Sequence, residues 1–365
     1  MEIIMKRTTD IDDTQHLALS TQMVRRQEKI VNEIPDTDNN EYDGDANHII
    51  STGSTLLDLA ISGGRFHEGG LPMGILVEIF GPSGSGKTVL LCQIAGNLQK
   101  ISGKIMFHDP EARLNKNFAR MFGLDSTEIE YTVPDTIPEV FKSVRTWDVD
   151  DNECNGIFAD SLAALSTDME MDEAKGGDKM GMRRAKEFSE ELRKTCRIIT
   201  QRNFLMVCSN QVRQNLDAGP YGQKYVSPGG EGIGFYSSLR LRCMAPEKLT
   251  ETKKIYGKEH KRVLGVKTNI EVFKSSIWKP FRQALVYIIY DYGVDDIRGN
   301  LVYLKTNSSD AVYKLNGVKI GKSLEHAIHV VERDGLEQEL KEAVIVKWNE
   351  IEEQFNHTRK ARFKE

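Results

Sequence analysis

The chain has 365 residues, 39% of them hydrophobic and 28% charged, which is ordinary for a globular protein with one large core and a small second domain. Its formal net charge of −5 argues against a protein that coats nucleic acid through bulk charge, so any nucleic-acid site must be a local basic surface. No apolar run approaches the roughly 18 residues that cross a membrane, no secretory signal is visible, and the five cysteines form no C-x-x-C pair, so we expect a cytoplasmic protein with reduced thiols and no membrane partner.

The first part of the chain is expected to lie outside the core. Residues 14–34 mix charged residues with apolar ones at loose helical spacing, which indicates a short helix. Residues 35–45 are acidic, polar and rich in turn-forming residues, which is typical of a flexible linker. We therefore expect residues 1–48 to form a helical arm followed by an acidic linker.

Apolar strand-like runs alternate with helical stretches through the middle of the chain. This alternation is typical of a mostly parallel sheet covered by helices. The expected strands are 75–80, 104–109, 129–133, 156–160 and 204–210, and the expected helices lie near 88–100, 113–122, 137–147 and 181–202. In the last of these helices, one face carries Phe188, Leu192, Cys196 and Ile199. Three later strands without helices between them indicate an antiparallel extension, at 238–244, 264–273 and 284–290.

Beyond residue 293 the pattern changes to short elements separated by glycine turns. Helices are expected near 323–332 and 336–354, and residues 357–364 form a basic tail. The sequence thus predicts an α/β protein with a core at 49–292 and a small α/β C-terminal domain at 293–365.

The most informative stretch lies between the strand at 75–80 and the helix that follows it. The octet Gly81-Pro82-Ser83-Gly84-Ser85-Gly86-Lys87-Thr88 matches the pattern G-x-x-x-x-G-K-[ST]. Its glycines let several backbone N–H groups face one anion, and the helix adds the positive end of its dipole. Lys87 would reach the outer phosphates and the Thr88 hydroxyl would ligate Mg²⁺. We therefore expect residues from Gly81 to Val89 to bind a nucleoside triphosphate.

Two carboxylates follow predicted strands. Asp160 ends one strand at the place where parallel-sheet NTPases hold their Mg²⁺-water carboxylate, although a strand-terminal Asp is also a common turn-former. Glu111 lies just beyond another strand, where a carboxylate can polarise a water for attack on the γ-phosphate. Without further context, a solvated loop glutamate is the more frequent role at such a position.

Several stretches resemble the bacterial RecA recombinases, in the order of that family and at nearly its spacing. They include Ile50-Ser51-Thr52-Gly53-Ser54, Gly70-Leu71-Pro72-Met73-Gly74, Asp109-Pro110-Glu111-Ala112-Arg113-Leu114, Asp160-Ser161-Leu162-Ala163-Ala164-Leu165, Asn210-Gln211-Val212-Arg213 and Lys279-Pro280-Phe281-Arg282-Gln283-Ala284. The resemblance spans about residues 49–320 and implies a RecA-like P-loop NTPase core. So many ordered matches are more specific than the phosphate loop alone.

The resemblance implies roles for individual residues around ATP and Mg²⁺. Glu111 would activate water, Asp160 would hold Mg²⁺ through a water, and Gln211 would sense the γ-phosphate. The position of Gln211 suits that task, because it closes the strand 204–210 at the same sheet edge as Asp160. The resemblance also places Asn115, Phe118 and Tyr290 at the adenine, although an aromatic on a helix is more often part of the core.

Two glycine-rich loops are expected to contact DNA, one at 173–184 and one at 213–232. Loops are good candidates to become ordered on a strand, where basic side chains neutralise phosphates and Met or Tyr contact bases. The residues expected to bind DNA are Lys175, Lys179, Met180, Arg183 and Arg184 in the first loop, and Arg213, Lys224, Tyr225, Gly229 and Gly230 in the second. Any single lysine among them is, by itself, more often a solvated charge.

The sequence departs from the RecA pattern at three places, one of which is the dipeptide Asp109-Pro110 in place of a more flexible pair. In RecA two lysines, two positions apart, cross to the γ-phosphate of the neighbouring subunit; here Lys274 matches and Ser276 does not, and Lys279 is the obvious substitute. The long acidic C-terminal tail of typical bacterial members is replaced by a basic one. These departures fit a divergent or phage-encoded member.

Taken together, the resemblance implies a DNA-dependent ATPase that forms a head-to-tail helical filament on single-stranded DNA and exchanges strands with homologous duplex DNA. In this interpretation the N-terminal arm docks on the neighbouring core, with single-strand-binding and loader proteins as further partners. Two alternatives remain at this point. A hexameric motor shares the phosphate loop but would use an arginine finger, and a non-enzymatic module would not need Lys87, Thr88, Glu111 and Asp160 together.

Overall fold

A computed structural model describes residues 48–150, 154–167, 180–211, 213–214, 225–226 and 231–355. Contacts group these described residues into one compact unit. The predicted arm, linker and basic tail lie outside the described residues. No helix within the described ranges combines the length and apolarity needed to span a bilayer.

Strands and helices alternate along most of the described chain. The strands are β1 (Ile49–Ile50), β2 (Leu71–Pro72), β3 (Leu76–Gly81), β4 (Ile105–His108), β5 (Ile129–Thr132), β6 (Gly156–Ala159), β7 (Leu205–Gln211), β8 (Arg213–Gln214), β9 (Tyr225–Val226), β10 (Leu239–Cys243), β11 (Glu247–Ile255), β12 (Lys258–Ser275), β13 (Gln283–Ile289), β14 (Gly293–Val294), β15 (Tyr313–Leu315) and β16 (Val318–Gly321). The helices are α1 (Thr55–Ser62), α2 (Lys87–Lys100), α3 (Lys116–Met121), α4 (Ile137–Thr146), α5 (Met180–Gln201), α6 (Glu231–Tyr236), α7 (Asp296–Thr306), α8 (Leu324–Asp334) and α9 (Glu337–Gln354).

The centre of the fold is a ten-stranded mixed sheet. Its order is β14-β13-β12-β10-β3-β7-β6-β4-β5, and β11 pairs with β12 outside that path. The strands from β10 to β5 run parallel, whereas β12, β13 and β14 add an antiparallel extension. The predicted fold class, a mostly parallel sheet covered by helices with an antiparallel extension, is therefore confirmed.

Helices cover both faces of this sheet, so the central strands are apolar on both sides. On one face, α1 and α2 pack into a core that includes Leu57, Leu90 and Ile94. On the other face, α4 and α5 pack together, and the predicted α5 residues Phe188, Leu192 and Ile199 are buried there. Helix α1 is not among the predicted elements, because every one of its residues is buried and no polar face marks it as amphipathic.

A long hairpin extends from the antiparallel side of the sheet. The pairing of β12 with β13 begins at Gly265, so residues 258–263 of β12 pair with β11 alone among the described strands. At about 3.3 Å per residue, this part of the hairpin reaches roughly 20 Å past β13. Its turn carries Tyr256, which is 100% exposed.

The C-terminal part of the chain contributes to two cores. A small cluster of its own joins α7, α8 and the β15–β16 hairpin through residues such as Leu301, Leu315 and Val331. Helix α9 instead buries Val344, Ile345 and Trp348 in the core of the main sheet. The expected domain boundary at 292/293 therefore stays a prediction.

Candidate nucleotide and nucleic-acid site

The phosphate loop connects β3 to α2 as the octet predicts. Gly84 and Gly86 have φ of 73° and 91°, a region that favours glycine. A Cβ on Gly86 would also lie 2.1 Å from the Cδ1 of Ile288, so a larger residue here would displace the end of that side chain. The Ser85 hydroxyl donates to the Pro82 carbonyl at 2.8 Å and closes the turn. The loop thus places the first N–H groups of α2 at its mouth, as an anion site requires.

Lys87 is the first residue of α2, and its side chain folds back over the loop. Its Nζ donates to the carbonyls of Gly81 at 3.2 Å and Pro82 at 2.8 Å. Burial lowers the pKa of Lys87, and the carboxylates of Asp160 and Glu111 oppose this shift. The ammonium group therefore lies at the loop with negative charge facing it from two other elements.

Asp160 follows β6 and receives two hydroxyl hydrogen bonds. Thr88 Oγ1 donates to its Oδ2 at 2.5 Å, and the Ser209 hydroxyl of β7 donates to its Oδ1. Burial raises the pKa of the Asp160 carboxyl. A hydroxyl and a half-buried carboxylate beside a phosphate loop are the hard oxygen donors that Mg²⁺ prefers, so Thr88 and Asp160 fit this ion.

Glu111 lies beyond β4 and faces the same region. Its Oε1 accepts a hydrogen bond from the Ser161 hydroxyl at 3.2 Å, and Ser161 directly follows Asp160 in the chain. Its Oε2 lies 2.5 Å from Nη1 of Arg113, which the sequence argument did not single out. The loop itself is fixed by Asp109, whose Oδ2 accepts from the backbone N–H of Leu114 at 2.6 Å and from the Tyr131 hydroxyl at 2.8 Å.

Gln211 ends β7 directly beside the phosphate loop. In the parallel pairing of β3 with β7, the Cα partner of Gln211 is Gly81. Its side chain is exposed, whereas the six preceding residues of β7 are buried. The carboxyl edge of the parallel strands therefore brings together Lys87, Thr88, Glu111, Asp160 and Gln211.

The residues expected at the adenine lie at a neighbouring part of this edge. Asn115 caps α3, because its Oδ1 accepts from the backbone N–H groups of Asn117 and Phe118 at 2.8 and 3.3 Å. The half-buried Phe118 ring contacts Phe122 edge-to-face at 4.4 Å between centroids. Tyr290 is 53% exposed at the end of β13. A contact of these side chains with adenine stays a prediction.

Lys274 lies on β12, away from the phosphate loop of its own chain. Its Nζ donates to the carbonyls of Gly234 at 2.9 Å and Phe235 at 2.8 Å in α6. Burial lowers its pKa, and the nearby charge of Arg240 adds to that effect. Lys279, the expected substitute cation, lies 5.4 Å from the ring centroid of Trp278.

The expected DNA-binding residues are only partly described. Lys175, Lys179, Lys224, Gly229 and Gly230 lie outside the described residues. For three of the others the backbone is described. Met180 is the first residue of α5, and in the antiparallel pairing of β8 with β9, Arg213 lies opposite Val226 and Tyr225 lies opposite Gln214. The side chain of Arg183 is half-buried. Nη2 of Arg184 donates to the carbonyls of Leu162 and Ala163 at 3.0 and 2.7 Å, so this guanidinium binds the turn after β6.

Sequence reasoning did not single out an ion pair next to this edge. Glu78 of β3 and Arg240 of β10 form a hydrogen-bonded ion pair with Nε and Oε2 2.6 Å apart. The signal for Glu78 is a charged residue inside a buried strand, between Val77 and Ile79. The partner is not recognisable from sequence, because Arg240 lies 162 residues away.

Comparison with known proteins shows the family to which the chain belongs. A family model described as the RecA N-terminal domain matches residues 36–295. The chain is 32% identical over 283 residues to Protein RecA of Anaplasma marginale, strain Florida, covering 76% of this chain and 74% of that protein, and the same figures hold for the strain St. Maries protein. A crystal structure of the RadB recombinase matches with a TM-score of 0.47 and 21% identity over 67% of this chain and 98% of that chain. On the family model and the RecA relatives, this chain belongs to the RecA family.

Proposed function

We propose that this chain is a DNA-dependent ATPase of homologous recombination that assembles head-to-tail on single-stranded DNA and exchanges strands with a homologous duplex. The observation that carries the proposal is the pairing of Gly81 with Gln211. It puts the first residue of the phosphate loop beside the residue that leads directly into the second glycine-rich stretch. Nucleotide chemistry and the expected DNA-binding segment therefore share one sheet edge.

The nucleotide is held by the loop between β3 and α2. Backbone N–H groups at the start of α2 and the Lys87 ammonium bind the phosphates of ATP. Thr88 and Asp160 hold Mg²⁺, which neutralises charge on the phosphates when it is bound. Ser209 keeps the Asp160 carboxylate oriented through its hydrogen bond.

Hydrolysis requires a base that faces the γ-phosphate. In this proposal Glu111 accepts a proton from the attacking water, and the Ser161 hydroxyl at 3.2 Å orients its carboxylate. The Arg113 guanidinium is largely exposed, so its ion pair with Glu111 is weak and separates at small cost when substrate enters.

Coupling to DNA runs through Gln211. Its side-chain amide bonds the γ-phosphate without adding charge, so ATP orders the segment that follows and hydrolysis releases it. Lys274 of a neighbouring subunit supplies a cation at the same phosphate. A head-to-tail contact that does not close generates a helical filament, and base pairing in the filament supplies the selectivity for homologous DNA.

The proposal is tested by measuring ATP turnover with and without single-stranded DNA, together with strand pairing and unwinding. We expect strong stimulation by DNA, strand pairing without unwinding, and rods in negative-stain images with a slowly hydrolysed ATP analogue. Duplex unwinding would indicate a hexameric motor, and the absence of turnover would indicate a binding module. Either result would contradict the proposal.

A further inference from the structure

Glu78 is a carboxylate in the middle of a buried strand. It lies three residues before Gly81 in β3 and is 0% exposed. Its Oε1 accepts from Nδ2 of Asn210 at 3.0 Å, and its Oε2 accepts from Nε of Arg240 at 2.6 Å. A buried charge persists only when it is paired and hydrogen-bonded. Glu78 therefore fixes the positions of two side chains, one on each neighbouring strand.

Arg240 extends this arrangement towards α6. Its guanidinium carbon lies 4.6 Å from the ring centroid of Phe80 and 5.4 Å from that of Phe273. A Cβ on Gly234 would lie 2.7 Å from Nη1 of Arg240, so α6 packs directly against the guanidinium. The ion pair with Glu78 and the two aromatic contacts leave Arg240 little freedom to move away from that helix.

These contacts involve the two elements that flank the segment 212–230. Asn210 immediately precedes Gln211, which ends β7, and α6 begins at Glu231. The carbonyls of Gly234 and Phe235 in α6 also accept the hydrogen bonds of Lys274. One carboxylate thus contacts the strand that enters the segment and, through Arg240, the helix that leaves it.

We propose that Glu78 is a positioning residue that couples nucleotide binding at the phosphate loop to DNA binding by the segment 212–230. The inference rests on the proposed function, which makes that segment a DNA-binding element. Glu78 holds Asn210, and therefore Gln211, at a fixed distance from the loop. Through Arg240, Glu78 also fixes the position of α6 relative to the phosphate loop. A change in the position of Gln211 is therefore transmitted to both ends of the segment.

The test is the coupling between two ligands, which does not require turnover. The affinity for a fluorescent single-stranded oligonucleotide is measured with and without a slowly hydrolysed ATP analogue, and the ratio of the two affinities reports the coupling. Asn210 and Arg240 donate to different oxygens of Glu78, and in Glu78→Gln one of these oxygens becomes an NH2 group, which cannot accept. We expect this ratio to fall by about tenfold, while the affinity for the analogue alone stays within about threefold of wild type.

Glu271→Gln is the matched control. Glu271 of β12 is also a buried carboxylate. It forms an ion pair with Arg242 of β10, which is its Cα partner in the pairing of these two strands. The substitution Glu271→Gln therefore removes the carboxylate of a carboxylate–arginine pair in the same sheet. It leaves the hydrogen bond between Asn210 and Glu78 in place. We expect a loss of thermal stability with the coupling ratio unchanged. Equal loss of coupling in both variants would mean that sheet stability alone is responsible, and would overturn the inference.

Asn210→Ala separates the coupling role from the burial of charge. It leaves the Glu78–Arg240 pair intact, so it perturbs folding less than a change at Glu78. We expect it to lower the coupling ratio as well, and a wild-type ratio in this variant would overturn the inference. If the analogue does not change the DNA affinity of the wild-type protein, the proposed function is overturned as well. If the coupling ratio is the same in wild type and in Glu78→Gln, only this inference is overturned.

Discussion

At the scale of single residues, the candidate base is held in an ion pair. Arg113 lies 2.5 Å from Glu111, while Ser161 holds the other carboxylate oxygen. A carboxylate in this position is poised at the edge of the site, and it must exchange Arg113 for a water before it can act.

Glu111→Gln is the direct test of this role. The amide keeps the size and the hydrogen bond to Ser161 but cannot take a proton, so we expect turnover to fall by about 100-fold or more with ATP and DNA binding retained. Steady-state ATPase assays and analogue titration measure the two effects. Glu128→Gln, an exposed carboxylate elsewhere in the chain, is the control. Undiminished turnover in Glu111→Gln would remove Glu111 from the mechanism.

The raised pKa of Asp58 leads us to expect that the stability of the protein depends on pH. Burial raises its pKa to about 7, and the nearby carboxylate of Asp296, whose own pKa is raised by burial, adds to the shift. The native state therefore holds a proton that the unfolded chain releases, so this group's contribution to stability falls as pH rises from about 4 to about 7. In the native state its carboxyl accepts from Ser51 and Thr52.

Asp58→Asn should flatten that dependence. The amide keeps an acceptor for Thr52, the Ser51 hydroxyl can rotate to accept, and no charge is buried at high pH. We expect the loss of unfolding free energy between pH 5 and pH 8 to be smaller than in wild type by about 2 kcal/mol, measured by urea denaturation. Asp148→Asn, an exposed carboxylate, should follow the wild-type curve. An Asp58→Asn curve parallel to wild type would contradict the prediction.

At the scale of elements, the phosphate loop and the parallel strands were predictable, because both signals are local. Strands buried on both faces read as apolar runs, and the octet specifies its own turn and helix start. The β11–β12 hairpin was missed over most of its length, since polar residues such as Lys253 and Arg262 lie on it without the alternation that marks a half-buried strand. The Glu78–Arg240 pair was missed because strand order, which periodicity does not report, brings it together.

The second glycine-rich stretch has its own test. Replacing Arg213 and Lys224 with Ala should weaken binding to single-stranded DNA and reduce the slope of log affinity against log salt by about 1.4, since each lost phosphate contact removes about 0.7. Fluorescence anisotropy over a range of salt concentrations measures it. Lys104→Ala with Lys142→Ala removes the same charge from exposed positions of the core and serves as the control. An unchanged slope would mean that this stretch is not the DNA surface.

At the scale of the whole molecule, α9 ties the C-terminal part to the main sheet. Trp348 lies in the core of that sheet, and the guanidinium of Arg282 lies 5.3 Å from its ring centroid. Arg282 also pairs with Glu352 of the same helix. The separate domain after residue 292, which the change in the pattern of elements predicts, stays a prediction. The sequence pattern does not show that α9 packs on the main sheet.

Trp348→Ala tests whether the two parts unfold together. We expect a loss of about 3–5 kcal/mol and a single shifted transition in urea, because the side chain is removed from a core shared by both parts. Val346→Ala, at an exposed position of the same helix, should cost far less. A second transition, with the main sheet as stable as in wild type, would show instead that residues 293–365 unfold by themselves.

The long hairpin has a consequence for handling the protein. Lys253, Lys254 and Lys258 lie at its exposed tip. Within the described part of the chain this end of the ribbon has no strand partner beyond its own two strands, and such a ribbon opens readily. Trypsin should nick the chain there. The strands on either side, β10 and the rest of β12, remain paired within the sheet, so the two fragments should comigrate in gel filtration and separate only in denaturant.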